Sequence, residues 1–271
     1  MYYITTSDHV KIAVYDLNPC SDEAILLIHG WPLNEKMYEY QKSMLLCAGY
    51  RVITMDLRGF GNSDAPACPY DYNRMADDIY TVVCKLNLRS FTLVGFSMGG
   101  AIVSRYMGRH HGYGVKKLCL LAAAAPRFTQ TKDFPYGETY SEVNRLICLA
   151  LTDRAQLSDN FSQMLLYSPH SESIKKWFAD LSLSASGIAT VQTGYALRDE
   201  DLREDLCRIN VPTGIFHGTR DQIVPYSLAL QQHQRIPDST LFTFHKSGHG
   251  IFYDELECFN QTFLSYLKNS R

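Results

Sequence analysis

Phe91-Thr-Leu-Val-Gly-Phe-Ser-Met-Gly-Gly100 decides the fold. Its first half, residues 91–95, is an apolar strand, and the run from Met98 to Arg109 has helical spacing. Between them stands Gly95-x-Ser97-x-Gly99, a serine flanked by glycines on a strand-to-helix turn. Such a turn has no room for neighbouring Cβ atoms. It pushes the hydroxyl out at the helix N-terminus, where free amides and the dipole favour negative charge. A serine that only caps the helix is the plainer alternative.

Upstream, residues 24–29 form a continuous apolar run ending at Gly30, 37–47 a helix and 50–55 a further strand. Residues 56–63, Asp-Leu-Arg-Gly-Phe-Gly-Asn-Ser, carry two glycines and read as a loop. Residues 72–86 are an amphipathic helix, with Met75, Ile79, Val82, Val83 and Leu86 on one face. Downstream, 117–123 is another strand. Strands and helices thus alternate from residue 24 to 125, the signature of βαβ crossovers and a parallel sheet. Residues 2–6 and 10–15, around Ser7-Asp8-His9, read as a hairpin leading into it.

After Pro126 the rhythm changes. Residues 127–200 contain no convincing strand. Helical patterns cover 139–151, 154–166, 172–181 and 187–197, the first opened by a Thr139-x-x-Glu142 capping box. Strand and helix then resume at 213–217, 226–235, 240–245 and 255–268. The fold class is α/β, a mostly parallel central sheet flanked by helices. Residues 1–126 and 201–271 make one core, and 127–200 a helical cap over it.

A chain of 271 residues is long enough for a large core without metals or disulfides. A formal net charge of −2 gives no basic footprint for nucleic acid or a membrane surface. The longest apolar run, residues 118–125, is too short to cross a bilayer. The N-terminus lacks the basic start and apolar stretch of a signal peptide. None of the eight cysteines has CxxC spacing, so no zinc site or redox pair is indicated. They are expected to behave as small hydrophobes, most clearly Cys119 and Cys148 inside apolar runs, and to fit a reducing cytoplasm.

A serine nucleophile needs a base. Of nine histidines, His9 lies in a turn and His110 and His111 end a helix. His29 and His217 end core strands and read as neutral structural groups. His249, in Ser247-Gly-His-Gly250, occupies a loop after a strand, where sites form in α/β sheets. His245, on that strand, is the fallback. The acid that fixes the imidazole tautomer is read as Asp221, in His217-Gly-Thr-Arg-Asp221 just past another strand. The polar run from Asp199 to Asp205 reads as a solvated loop or helix face. A tetrahedral intermediate needs amide donors. These are expected from Met98, after the nucleophile, and from Trp31 in His29-Gly-Trp-Pro32, since Pro32 has no N–H.

Together HGWPL (29–33), DLRGFGNSD (56–64), GFSMGG (95–100), HGTRDQIVPY (217–226) and GHG (248–250) resemble the α/β-hydrolase superfamily, closest to the bacterial cofactor-free haloperoxidases and aryl esterases. The resemblance spans nearly the whole chain. It implies an α/β-hydrolase fold and hydrolysis of carboxylic esters or lactones through an acyl-enzyme on Ser97, without cofactor or metal. It also implies perhydrolysis, with hydrogen peroxide replacing water. By position, Phe128 and Ile223 resemble acyl-pocket residues. The family's Pro-His-Gly turn is here Gly248-His249-Gly250, closer to general esterases and C–C hydrolases, while Pro32 matches the haloperoxidase loop. An amidase, peptidase or C–C hydrolase, and a low-turnover ligand receptor, remain open, as does a homo-oligomer. Rapid multiple turnover of a generic ester separates enzyme from receptor.

Overall fold

A computed structural model describes residues 1–268. The expected hairpin is β1 (Tyr2–Thr5) and β2 (Lys11–Leu17), paired antiparallel. The buried runs become β3 (Ala24–Ile28), β4 (Arg51–Met55), β5 (Phe91–Phe96), β6 (Val115–Leu121), β7 (Thr213–Gly218) and β8 (Ser239–Phe244). Among the described residues these strands form one sheet in the order β1-β2-β4-β3-β5-β6-β7-β8. β2 meets β4 antiparallel, and every pairing from β4 to β8 is parallel.

Helices α1 (Glu39–Cys47), α2 (Tyr72–Lys85) and α3 (Met98–Arg109) make the early crossovers. A 3-10 turn at Glu35–Tyr38 precedes α1, so the segment expected as one helix from residue 37 is two pieces. After β6 the 127–200 segment supplies α4 (Tyr140–Thr152), α5 (Arg154–Leu165), α6 (Glu172–Leu183) and α7 (Gly187–Asp199). The Thr139 capping box forms in both directions. Next come α8 (Arg203–Cys207), α9 (Tyr226–Arg235), α10 (Ile251–Asp254) and α11 (Leu256–Lys268).

Alternation along buried strands builds a core on each face of the sheet. In β3, Leu26 and Ile28 join one cluster, and Ile25 and Leu27 the other. In β6, Leu118 and Leu120 face one way, Cys119 and Leu121 the other. The 56–63 loop is held by buried charge. Arg58 Nε donates to Asp78 at 2.6 Å, both side chains fully buried, and Asp56 accepts the amides of Glu35 and Asn62.

Two expectations need correction. Cys148 is exposed, as are six other cysteines; only Cys119 is buried. The apolar run around Cys148 wraps a helix, and its buried stripe is Val143, Ile147 and Ala150, so Cys148 falls beside it. The polar run 199–205 is not simply solvated. It leads into α8, where Asp205 is buried 3.3 Å from Arg105 Nε, while Glu200 binds Arg105 Nη2 at 3.0 Å.

Candidate active site

Ser97 links β5 to α3 at φ 54°, ψ −121°, a conformation L-residues rarely hold. Its backbone is pinned from three sides. Its N–H donates to Leu121 O at 2.9 Å, and its carbonyl accepts the amides of Gly100 and Ala124, each at 2.9 Å. The glycines answer a close approach of backbones. A Cβ on Gly99 would lie 2.4 Å from His29 O, and one on Gly95 2.5 Å from Gly99 O. Ser97 makes no capping hydrogen bond to α3, so the turn does not exist to cap the helix.

His249 lies in the loop between β8 and α10 and is fully buried. Its Nδ1 is 2.8 Å from Asp221 Oδ2. With a carboxylate as neighbour, Nδ1 must carry the proton, which leaves Nε2 as the lone-pair nitrogen. That Nε2 is buried and has no hydrogen-bond partner among the described residues. The ring rests against Phe96, with centroids 4.6 Å apart, immediately before Ser97. His245, the fallback, is exposed one residue past the end of β8.

Asp221 follows β7. Its Oδ1 accepts the amides of Ile223 at 2.9 Å and Val224 at 2.8 Å, so the chain turns back around the carboxylate. Its Oδ2 takes His249 and also lies 3.2 Å from His217 Nε2. Burial works against ionisation, but His249 and His217 outweigh it and hold the Asp221 carboxyl well below its ordinary value. The His217 contact was missed in the sequence, where this histidine read as structural only. His217 Nε2 also points at Val224 O, 2.9 Å away, so two acceptors fix its proton on Nε2. His29 is structural as expected. It accepts from Leu57 N–H and faces Gly30 O, and burial lowers its pKa to about 4.

Met98 is the first residue of α3, so its N–H has no intrahelical acceptor. Trp31 lies in the loop after β3, with its indole Nε1 donating to Thr190 O of α7 at 3.1 Å. A small apolar cavity of about 40 Å³ touches Ser97, Trp31, Phe128 and Ile223 together. A larger one, about 780 Å³, shares Trp31, Phe128 and Ile223 and opens between α4 and α5. Phe161 and Met164 line the larger cavity. Of the other apolar residues of the 127–200 segment, Leu165 is packed in a core cluster and Trp177 leans on Phe178 and Tyr253. Among the described residues no cluster of His, Cys, Asp or Glu could hold a metal ion. Nor is any helix long and apolar enough to cross a membrane.

A buried acid–histidine pair and a strained serine at the C-terminal ends of parallel strands define a class. The chain belongs to the α/β-hydrolase fold family, whose model matches residues 23–256. Within it, the likeness runs to esterases and non-heme haloperoxidases. The chain is 45% identical to the AB hydrolase superfamily protein YisY of Bacillus subtilis, over 96% of each chain. An esterase from Exiguobacterium antarcticum superposes with a TM-score of 0.96 at 46% identity, covering 99% of each. A bromoperoxidase from Bacillus anthracis gives 0.92 at 32%, covering 96% of each.

Proposed function

We propose that the protein is a serine hydrolase of carboxylic esters, working in the cytoplasm on small molecules through an acyl-enzyme on Ser97. One observation carries the reading: His249 Nδ1 is locked to Asp221, leaving a buried, unpartnered Nε2 beside the strained Ser97 turn. In this reading Ser97 Oγ attacks the ester carbonyl while Nε2 takes its proton. The amides of Trp31 and Met98 receive the oxyanion, each donor contributing about 2.7–4 kcal/mol in the transition state. The C–O bond then breaks, and the alcohol leaves with the proton from His249. Water attacks the acyl-enzyme by the same route and frees the acid and Ser97. Hydrogen peroxide in place of water gives a peracid, a reading supported by the likeness to a bromoperoxidase. Residues 127–200 act as the cap, whose α4 and α5 wall the larger cavity.

The two cavities differ enough to set preference. The small one, about 40 Å³ against about 780 Å³, is much the tighter of the two and is walled by apolar side chains. It fits a short acyl chain, with the alcohol in the larger cavity. Aryl acetate is expected to exceed the matching octanoate in kcat/KM by roughly tenfold or more. The test is steady-state hydrolysis of an acetate-to-octanoate series, with and without peroxide. Equal rates along the series would overturn the assignment of the small cavity, a peracid product would add perhydrolysis, and at most a single turnover would favour a receptor.

Glu138 lines the larger cavity. Burial first, then Glu142 and Asp221, push its carboxyl up to about 7. The group therefore gains charge as pH rises through neutrality, in a cavity wall it shares with Glu142 and Arg145. Its folded pKa is raised, so its contribution to stability is present in acid and lost as pH rises through about 7. Anionic alcohols should be disfavoured on the alkaline side. The kcat/KM ratio of 4-acetoxybenzoate to phenyl acetate is expected to fall roughly threefold from about pH 6 to about pH 8. Glu138→Gln should flatten that ratio; a ratio that keeps falling in this variant would remove Glu138 from the explanation.

A further inference from the structure

Asp254 closes α10, beyond His249, and its side chain is fully buried. Four donors converge on it. Oδ2 accepts the amides of Gly248 at 2.7 Å and Tyr167 at 2.9 Å. Oδ1 accepts the Ser168 amide and His170 Nε2, both at 2.9 Å. A carboxylate has about four lone-pair sites, so this one is fully used. Three donors come from the segment after α5, and the fourth from the loop that carries His249.

Other contacts join the same two pieces of chain. Gly250 N–H donates to Leu165 O at 2.7 Å, and Ser168 Oγ to Lys246 O at 2.8 Å. A Cβ on Gly248 would lie 3.1 Å from Tyr167 N, and one on Gly250 2.6 Å from Leu166 Cδ2. The charged groups nearby are engaged. Glu255 accepts from Lys246 N–H and Ser247 Oγ, and the Arg220 guanidinium lies over the Tyr167 ring at 5.6 Å. The strap 165–170 therefore rests on the histidine loop, with Asp254 as the ion between them. The helix feeding that strap, α5, lines the larger cavity through Leu157, Asn160, Phe161 and Met164.

The geometry points to Asp254 as a positioning residue for the reaction: it aims His249 by tying the histidine loop to the strap 165–170. The imidazole is then correctly placed only while the strap is seated, so contacts in the cavity wall reach the base through this buried carboxylate, with the Gly250–Leu165 and Ser168–Lys246 hydrogen bonds beside it. This inference rests on the reading of His249 as the base.

Asp254→Asn tests it. An amide offers one oxygen and turns an NH2 toward the other pair of donors, so either Gly248 and Tyr167 or Ser168 and His170 lose their acceptor. With the protein folded, kcat is expected to fall by roughly ten- to a hundredfold, because small misplacements of a catalytic group are costly. KM should change little. The far-downfield proton NMR signal of His249 Nδ1–H, bonded to Asp221, should broaden or move, a readout that a purely stabilising contact would leave alone. His170→Ala removes one strap donor and keeps the Gly248 bond. It should give a smaller loss of kcat of the same kind, largely restored by His170→Gln, and it decides the matter if Asp254→Asn does not fold.

If the folded variants keep wild-type kcat and an unchanged Nδ1–H signal, with only a lower thermal midpoint, Asp254 merely holds the chain together and the inference fails. Wild-type turnover that disappears in Ser97→Ala, together with normal Asp254 and His170 variants, sinks this inference alone. Wild-type turnover that does not depend on Ser97 sinks the hydrolase reading and this inference with it.

Discussion

Ser97→Ala is expected to lower kcat on a short-chain aryl ester by roughly four to six orders of magnitude, leaving what binding and the oxyanion amides supply. The fold should tolerate the change. Ser97 makes no capping bond, and the contacts that hold the turn run through its backbone. Alanine keeps those contacts, although φ 54° is as strained for alanine as for serine. Thermal midpoint and activity should therefore separate. Wild-type hydrolysis surviving in the alanine variant would place the nucleophile elsewhere.

Asp221→Asn should be nearly as damaging, by roughly 10⁴-fold in kcat. The argument lies in the hydrogen-bond directions. Oδ1 accepts two backbone amides, from Ile223 and Val224. The amide oxygen of asparagine must take that place, which turns its NH2 toward His249 Nδ1. A donor there forces Nδ1 to become the acceptor and moves the ring proton to Nε2. The nitrogen that should accept the serine proton then already carries one. His217 Nε2, which faces the same corner at 3.2 Å, meets the same conflict.

Stability carries a second signature of this substitution. The Asp221 carboxyl is held below its ordinary value, so its contribution is present above the unfolded carboxylate range and lost as pH falls through the folded value. Wild type should lose stability on acidification more steeply than Asp221→Asn, as read by urea midpoints along a pH series. Parallel profiles would show that the carboxylate gains nothing from its two histidines, and kcat within tenfold of wild type would show that the tautomer is not set from this side.

Much of this site is legible in the sequence because it rests on local rules. Glycines at 95 and 99 betray the tight turn, and position after a strand singles out Asp221 and His249. What escapes is set by packing between distant segments. That His217 reaches Asp221 follows from the turn made by Ile223 and Val224 around the carboxylate, which no spacing announces. Asp254 stands in Gly-Ile-Phe-Tyr-Asp-Glu, a stretch that resembles general esterases and C–C hydrolases but does not mark Asp254 as an acceptor until the strap from α5 is laid against it. The departure at Gly248 was visible, but its N–H acquires meaning only with Asp254 as acceptor. Asp205 reads as solvated in the sequence because its partner Arg105 lies on α3, roughly a hundred residues earlier in the chain.

The indole of Trp31 has a bearing on how such proteins diversify. Its backbone belongs to the loop after β3 that we propose holds the oxyanion, and its Nε1 is anchored to Thr190 O on α7. At the same seam a Cβ on Gly59 would lie 2.1 Å from Ala189 Cβ, and the Ser186 amide donates to Gly59 O at 2.8 Å. A transplanted helical segment from a relative would have to bring a carbonyl at the height of residue 190 and a small side chain at 189. Without them the grafted chimera would inherit a foreign roof and a tryptophan with no anchor, and new specificity would come with a misplaced oxyanion loop. Inherited changes of substrate in this lineage should therefore accumulate first along α4 and α5, and last where α7 crosses Trp31.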